Sequence, residues 1–250
     1  METAKRLQEI IDRAGAIVFF GGAGVSTESG IPDFRSADGL YSQKYDYPPE
    51  EILSRAFFIT HRAEFYRFYR DRVLALDAKP NAAHLKLVEL EKAGKLKAVI
   101  TQNIDGLHQA AGSRNVIELH GSVHRNRCVM CGRPFDAETI RSAPGVPACP
   151  CGGAVKPDVV LYGETLDEEV IARAVGMIRS ADVLIIGGTS LAVYPAAGLL
   201  DYFRGSQLVV INLTPLGSQR ADLFIQGSIG EVLSGIEVPS AEHAQAVQGA

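Results

Sequence analysis

The chain has 250 residues, a formal net charge of −4 and 46% hydrophobic residues. That length holds one large domain, or a domain with a small module, and the hydrophobic share is that of an ordinary globular protein. The acidic balance and the lack of a basic stripe exclude binding driven by nucleic-acid phosphates, and no apolar run is long enough to cross a bilayer.

The first residues, Met1-Glu2-Thr3-Ala4-Lys5-Arg6, lack the apolar core of a signal peptide, so a cytoplasmic setting is expected. Leu7, Ile10, Ile11 and Ala14 follow helical spacing and predict an amphipathic helix. Ala16-Ile17-Val18-Phe19-Phe20 then reads as a buried parallel strand. The stretch from Gly21 through Gly22-Ala23-Gly24-Val25-Ser26-Thr27 to Gly30-Ile31-Pro32-Asp33-Phe34-Arg35 follows it directly. Glycines after such a strand let a backbone approach a ligand closely, and the amides of the turn can hold a diphosphate. The pattern departs from the dehydrogenase fingerprint, because Thr27 stands where a third glycine or alanine belongs. The bland alternative is a tight loop with ordinary surface charges.

Residues 31–80 show no clear strand. Within them, over 62–76, Phe65, Phe68, Tyr69, Arg72, Val73 and Leu76 share one helical stripe, which puts Arg72 on an apolar face. Helical patterns at 81–93, 167–180 and 195–203 separate further strand-like runs at Leu96–Ile100, Val183–Ile186 and Gln207–Ile211. Val116–Leu119 is a shorter one. This alternation predicts an α/β fold with a doubly wound, Rossmann-like parallel sheet. Ligands bind such sheets beyond the carboxyl ends of the strands. Thr101-Gln102-Asn103, His120-Gly121, Gly187-Gly188-Thr189-Ser190 and Asn212 all fall there.

Six histidines are present. His84 and His108 lie in helical patterns, and His61 and His243 have no evident partner. His120 ends a strand and so should face the ligand crevice, where an imidazole can serve as a base.

Residues 122–158 read as loop and carry all four cysteines. Cys128-x-x-Cys131 and Cys149-x-Cys151 form two knuckles. In a reducing compartment these read as a closed, structural zinc site, against the alternative of four ordinary thiols. The expected organisation is a large part at about 1–30, 81–121 and 159–235. A smaller zinc-binding part made of insertions covers about 31–80 and 122–158, and a loosely ordered tail covers 236–250.

Taken together, Gly22-Ala23-Gly24-x-Ser26, Gly30-Ile31-Pro32-Asp33-Phe34-Arg35, Thr101-Gln102-Asn103-Ile104-Asp105, His120-Gly121 and the four cysteines resemble the sirtuin family, bacterial deacetylases above all. The resemblance implies an enzyme that consumes NAD to remove acetyl, or other acyl, groups from protein lysines, releasing nicotinamide and O-acetyl-ADP-ribose. It makes His120 the general base and has Asn103 order the ribose and a water. Ile104 and Asp105 would hold the nicotinamide, and Phe34 would cover the reacting ribose. Ala23, Thr27, Arg35 and Gln102 would line the dinucleotide, with Gly22, Gly24, Ser26 and Asp33 in the same loop. Gly188, Thr189, Ser190, Asn212 and Ile229 would take the adenosine half. Val159, Val160, Leu161, Tyr162, Gly163 and Glu164 resemble the family's substrate strand, beside which an acyl-lysine peptide would add as an extended strand. Tyr69-x-x-Arg72 resembles the pair with which some members recognise succinyl- or malonyl-lysine, whereas Asp33 matches the deacetylase form. The C-x-C knuckle and Ser228-Ile229 depart from the family pattern. A mono-ADP-ribosyltransferase and a non-catalytic NAD or ADP-ribose binder are the alternative functions. No nucleic-acid or membrane partner is expected, and the sequence does not give an oligomeric state.

Overall fold

The structure is a computed structural model that describes residues 2–34, 39, 45–191, 196–215 and 221–238. Helix α1 (Glu2–Arg13) leads to β1 (Ile17–Gly21). Three short helices, α2 (Pro49–Ile52), α3 (Arg55–Thr60) and α4 (Arg62–Phe68), precede α5 (Ala82–Lys92) and β2 (Leu96–Thr101). Then come α6 (Leu107–Ala111), β3 (Val116–Glu118), β4 (Gly121–Cys128), β5 (Pro134–Phe135), α7 (Ala137–Ser142) and β6 (Val155–Val159). The chain continues through α8 (Glu168–Ser180), β7 (Val183–Gly187), a 3-10 segment (Ala196–Tyr202), β8 (Gln207–Asn212), β9 (Leu223–Gln226) and α9 (Ile229–Ser234).

Six strands form a parallel sheet in the order β3-β2-β1-β7-β8-β9. Alternation along β1 explains its two covered faces. Ile17 and Phe19 pack with Leu7 and Ile11 of α1 and Leu87 of α5, while Val18 and Phe20 pack with Ala174 and Ile178 of α8. Each fully buried large side chain stabilises the fold by about 1.5–3 kcal/mol. The strand order reverses between β1 and β7, which opens a crevice beyond their carboxyl ends. Strand β9 was not legible as a strand: it is a four-residue edge, buried at Leu223 and partly open beyond it.

A second, antiparallel sheet of order β5-β4-β6 occupies the stretch read as loop. With α2–α4 it encloses a separate core that includes Ile52, Phe57, Phe65, Tyr66, Val155 and Leu161. The apolar stripe over 62–76 is interrupted. Helix α4 stops at Phe68 and Tyr69–Val73 forms a π-helical turn. That turn carries Arg72 off the buried face, leaving its side chain 42% exposed beside Asp71. At the other end, Ile236 is buried and Gln8 exchanges two hydrogen bonds with the Glu237 backbone, of 2.8 and 2.9 Å. The folded body therefore runs through Glu237, beyond the expected boundary. Residues from 239, His243 among them, lie outside the described part.

The cysteine knuckles meet at the end of the small sheet. All four Sγ atoms lie within 4.8 Å of one another, with Cys128–Cys151 at 3.4 Å and Cys131–Cys149 at 3.7 Å. A tetrahedral ion with bonds of about 2.3 Å spaces its sulfurs about 3.8 Å apart, so the cluster fits zinc. Gly153 permits the closure, because a Cβ there would stand 2.6 Å from Cys128 Sγ. With all four positions taken by thiolates, such a site folds its segment and does no chemistry.

Under the sheet, His84 of α5 and His108 of α6 are wholly buried with ring centroids 4.7 Å apart. His84 Nδ1 belongs to the cap formed with Asn81, but His84 Nε2 and both His108 nitrogens find no hydrogen-bond partner among the described residues. Burial holds both rings neutral, pushing His84 down to about 4 and His108 to about 3.

Two predictions follow from these packing features. Metal analysis should find one zinc per chain. Cys128→Ser or a strong chelator should remove it and lower the melting temperature by on the order of 10 °C. The histidine pair makes stability pH-dependent. Unfolded imidazoles take protons below their ordinary value of 6.5, and the folded ones do so only near 4 and 3. Stability is therefore complete above that value and falls as pH drops, by about 2 kcal/mol per histidine at pH 5. Urea unfolding at pH 7 and pH 5 should show this, and His108→Leu should shrink the difference by about one such share.

Candidate active site

The crevice is built where the turn after β1 meets the turn after β7. Gly22 donates its amide to Gly187 O at 3.2 Å, and Gly24 donates to Gly188 O at 2.8 Å. Gly188 has φ +58°, and a Cβ on it would stand 2.4 Å from the Val25 nitrogen. A Cβ on Gly24 would stand 2.8 Å from Gly188 Cα. Glycine is required at both positions for the backbones to touch. The result is a cavity of about 570 Å³, within the usual range for a small-molecule site.

Side chains from distant segments are wired together at its edge. Ser26 Oγ donates to Asp105 Oδ2 at 2.6 Å and accepts from Asn103 Nδ2 at 3.0 Å. Asp105 Oδ1 accepts the Leu107 amide at 2.9 Å, capping α6. Thr189 Oγ1 donates to Gln102 Oε1 at 3.0 Å, and Asn212 Nδ2 donates to Thr189 O at 3.3 Å. Gln102 Nε2 is buried on the cavity wall with no partner among the described residues, an orphaned donor suited to a polar ligand.

His120 enters from the end of β3. Its Nδ1 lies 2.9 Å from Gln102 O, and a carbonyl accepts only. Nδ1 therefore carries the proton, leaving the Nε2 lone pair for the crevice. Burial lowers its pKa from the ordinary 6.5, and the bond to Gln102 raises it less.

The cavity lining brings together Ala23, Gly24, Ser26, Thr27, Asp33 and Phe34 of the first loop with Gln102, Asn103, Ile104, Asp105 and His120. Gly188, Thr189, Ser190, Asn212 and Ile229 line its far end, and residues 159–164 its near one. Gly22 does not line it; a Cβ there would press on Thr189 at 2.7 Å, so its part is to let the turns close. Arg35 lies outside the described residues.

Sequence reasoning missed Leu53, Leu166 and Leu213 on the lining. It also missed His124, which donates Nε2–H to Asp105 O at 3.0 Å. Next to it, the Val123 amide donates to Ile104 O at 2.9 Å. Strand β4 thereby holds the 104–106 loop in place. No spacing in the sequence marks His124 for this.

The near wall is already hydrogen-bonded on its flank. The Val160 amide donates to His120 O at 3.0 Å, Leu161 to Glu164 Oε2 at 2.9 Å and Tyr162 to Leu53 O at 3.0 Å. Lys156 Nζ braces the segment through Val159 O and Glu164 Oε2, at 3.0 and 3.1 Å. Tyr69 and Arg72 also line the cavity. The Tyr69 hydroxyl is buried without a partner among the described residues, whereas Arg72 is engaged by Asp71 at 2.9 Å and by the Tyr45 hydroxyl.

The comparisons agree with this geometry. The Sir2 family profile matches residues 22–195. An NAD-dependent protein deacetylase of Clostridium acetobutylicum is 56% identical over 238 residues, covering 93% of this chain and 97% of that one. One of Cutibacterium acnes is 54% identical, covering 94% and 98%. A solved Sir2 structure with deacetylated p53 peptide and 3'-O-acetyl-ADP-ribose aligns with a TM-score of 0.86 at 38% identity, over 94% of this chain and all of that one. With the profile spanning well over half its length and relatives above half identity along nearly all of it, this chain belongs to the Sir2 family.

Proposed function

We infer that this protein removes acetyl groups from lysine side chains, consuming NAD and releasing nicotinamide and O-acetyl-ADP-ribose. The observation that carries the reading is His120: a partly buried imidazole on the lining of a crevice large enough for a dinucleotide, with its Nδ1 proton held by Gln102 O and its pKa lowered by burial. Relatives above half identity bear the name NAD-dependent protein deacetylase. Solved neighbours hold the acetylated sugar and deacetylated peptide.

The residues suit the task. Bound NAD supplies a ribose carbon from which nicotinamide can leave. The glycine turn after β1 brings backbone close to the diphosphate, with Thr27 and Gln102 beside it. Gln102 Nε2 offers the donor it now leaves unused. Asn103 and Asp105, fixed through Ser26, hold the nicotinamide end with Ile104. Phe34 closes the crevice on the side of the small core and excludes water. Thr189, Ser190, Asn212 and Ile229 receive the adenosine half. His120 Nε2 takes the proton of a ribose hydroxyl, as a base whose neutral form prevails at physiological pH. The acyl-lysine peptide enters along residues 159–164. Because the amides of Val160, Leu161 and Tyr162 are committed, it meets the wall chiefly around Gly163, where the chain turns at φ +84°.

The acyl group this site favours is neutral. Arg72, the one cation on the lining described, has its charge offset by Asp71 and its Nε bonded to Tyr45, so an acidic acyl group meets a guanidinium that is already paired.

His120→Ala should lower kcat/KM on an acetyl-lysine peptide by roughly 10²- to 10⁴-fold, with ADP-ribose binding retained. Because burial lowers the His120 pKa, the base is deprotonated through the neutral range and lost only on acidification. The acid limb of kcat/KM should therefore lie below pH 6.5, the ordinary histidine value. Mass spectrometry should find O-acetyl-ADP-ribose matching the acetyl lost; ADP-ribose retained on protein instead would favour the transferase reading. Acetyl-lysine peptide should exceed succinyl-lysine peptide in kcat/KM by at least about tenfold. The reverse order, with succinyl turnover lost in Arg72→Ala, would assign acyl choice to that guanidinium.

A further inference from the structure

We propose that Glu28 is a positioning residue for the adenosine half of the site, holding the wall after β9 against the turn after β1. The proposal rests on the reading of the crevice as the NAD site. Glu28 lies in the 3-10 turn Thr27–Ser29 and does not line the cavity, whereas Thr27 on one side and Gly227, Ser228 and Ile229 on the other do. Its carboxylate spans the two. Oε2 accepts the Gly230 amide at 2.7 Å, and Oε1 lies 3.4 Å from Ser228 Oγ, a hydroxyl equally far from Glu231 Oε2. Among the described residues, the hydrogen bonds from this turn to the β9–α9 wall all end on that carboxylate.

The physical reason is an uncapped helix start. Ser228 is the N-cap of α9 but makes no side-chain capping bond, which leaves first-turn amides without partners. Glu28 supplies the acceptor from 202 residues away in sequence. An ionised acceptor at a helix N-terminus is also the stronger kind of hydrogen bond. The rest of the turn is fastened elsewhere: Asn81 Nδ2 donates to Val25 O at 2.8 Å and to Ser29 Oγ at 3.0 Å. Losing Glu28 thus loosens the start of α9, whose later residues stay packed in the main core, and leaves the diphosphate turn anchored. Ile229, buried on the cavity wall, moves with that wall.

Gly230 completes the arrangement. A Cβ on it would stand 2.6 Å from one carboxylate oxygen of Glu28 and 2.7 Å from the other. The carboxylate is the far end of a flexible side chain. Gly230→Ala therefore expels it with little demand on the backbone, and the strut can be broken from either end.

The test is ADP-ribose binding by calorimetry, with steady-state kinetics, on the full chain. Glu28→Ala and Gly230→Ala should each weaken ADP-ribose binding and raise the NAD KM about tenfold, leaving kcat and peptide KM within about twofold. The double variant should be no worse than either single one, because both remove the same contact. Glu28→Gln should keep most of the affinity, since its amide oxygen can accept the same N–H. An unchanged NAD KM in Glu28→Ala, additive losses in the double variant, or equal changes in kcat and peptide KM would overturn the proposal. Should Glu28→Ala fail to fold, the Gly230→Ala and Glu28→Gln pair decides it alone. Wild-type protein that binds no ADP-ribose would overturn the NAD reading itself, and this proposal with it.

Discussion

The constraint on which the rest of the structure depends is the contact between two loop backbones. Gly24 donates to Gly188 O at 2.8 Å, and neither residue can carry a side chain without striking the other loop. Parallel pairing of β1 with β7 brings these turns level, since Gly21 is in register with Gly187. The sheet's reversal of direction then leaves open space beyond them. A ligand there meets bare backbone at the two glycines, where no side chain stands in the way. That is the condition for close approach by a diphosphate.

Around this contact the crevice is assembled from segments far apart in sequence, and each is tied to its neighbour by polar links. Ser26 reaches Asp105 and Asn103, Thr189 reaches Gln102, and Asn212 reaches Thr189. His120 is oriented by Gln102 O from the adjacent strand. The small module takes part through β4, whose Val123 and His124 fix the 104–106 loop. A module with so small a core needs a metal to hold its end. The zinc cluster, remote from the chemistry, therefore supports it through the strand that starts beside His120.

What the sequence made legible was whatever rested on composition and short-range pattern. Continuous apolar runs fixed β1, β2, β7 and β8 to within a residue or so, because strands buried on both faces leave no other choice. Strand β4 was hidden because Gly-Ser-Val-His-Arg-Asn-Arg-Cys lacks apolar alternation, and its pairing with β6 is irregular between Ser122 and Asn126. The stripe over 62–76 misled for a different reason. One π-helical turn rotates the residues after Phe68, so Arg72 lines the cavity with Tyr69 from a half-exposed position and not from a buried face. His124 and Glu28 could not be found at all, since their partners are set by tertiary structure.

That rotation bears on what the site can accept. A guanidinium left free on the lining would attract a carboxylate and strongly favour an acidic acyl group. Here it lies on a partly exposed turn with Asp71 beside it and the Tyr45 hydroxyl against it. What remains on the deep wall is the Tyr69 phenol, which burial keeps neutral and which has no partner among the described residues. A neutral donor in an apolar recess complements a small uncharged acyl group. The local break in one helix thus leaves Arg72 at the edge of the cavity, half exposed and paired with Asp71.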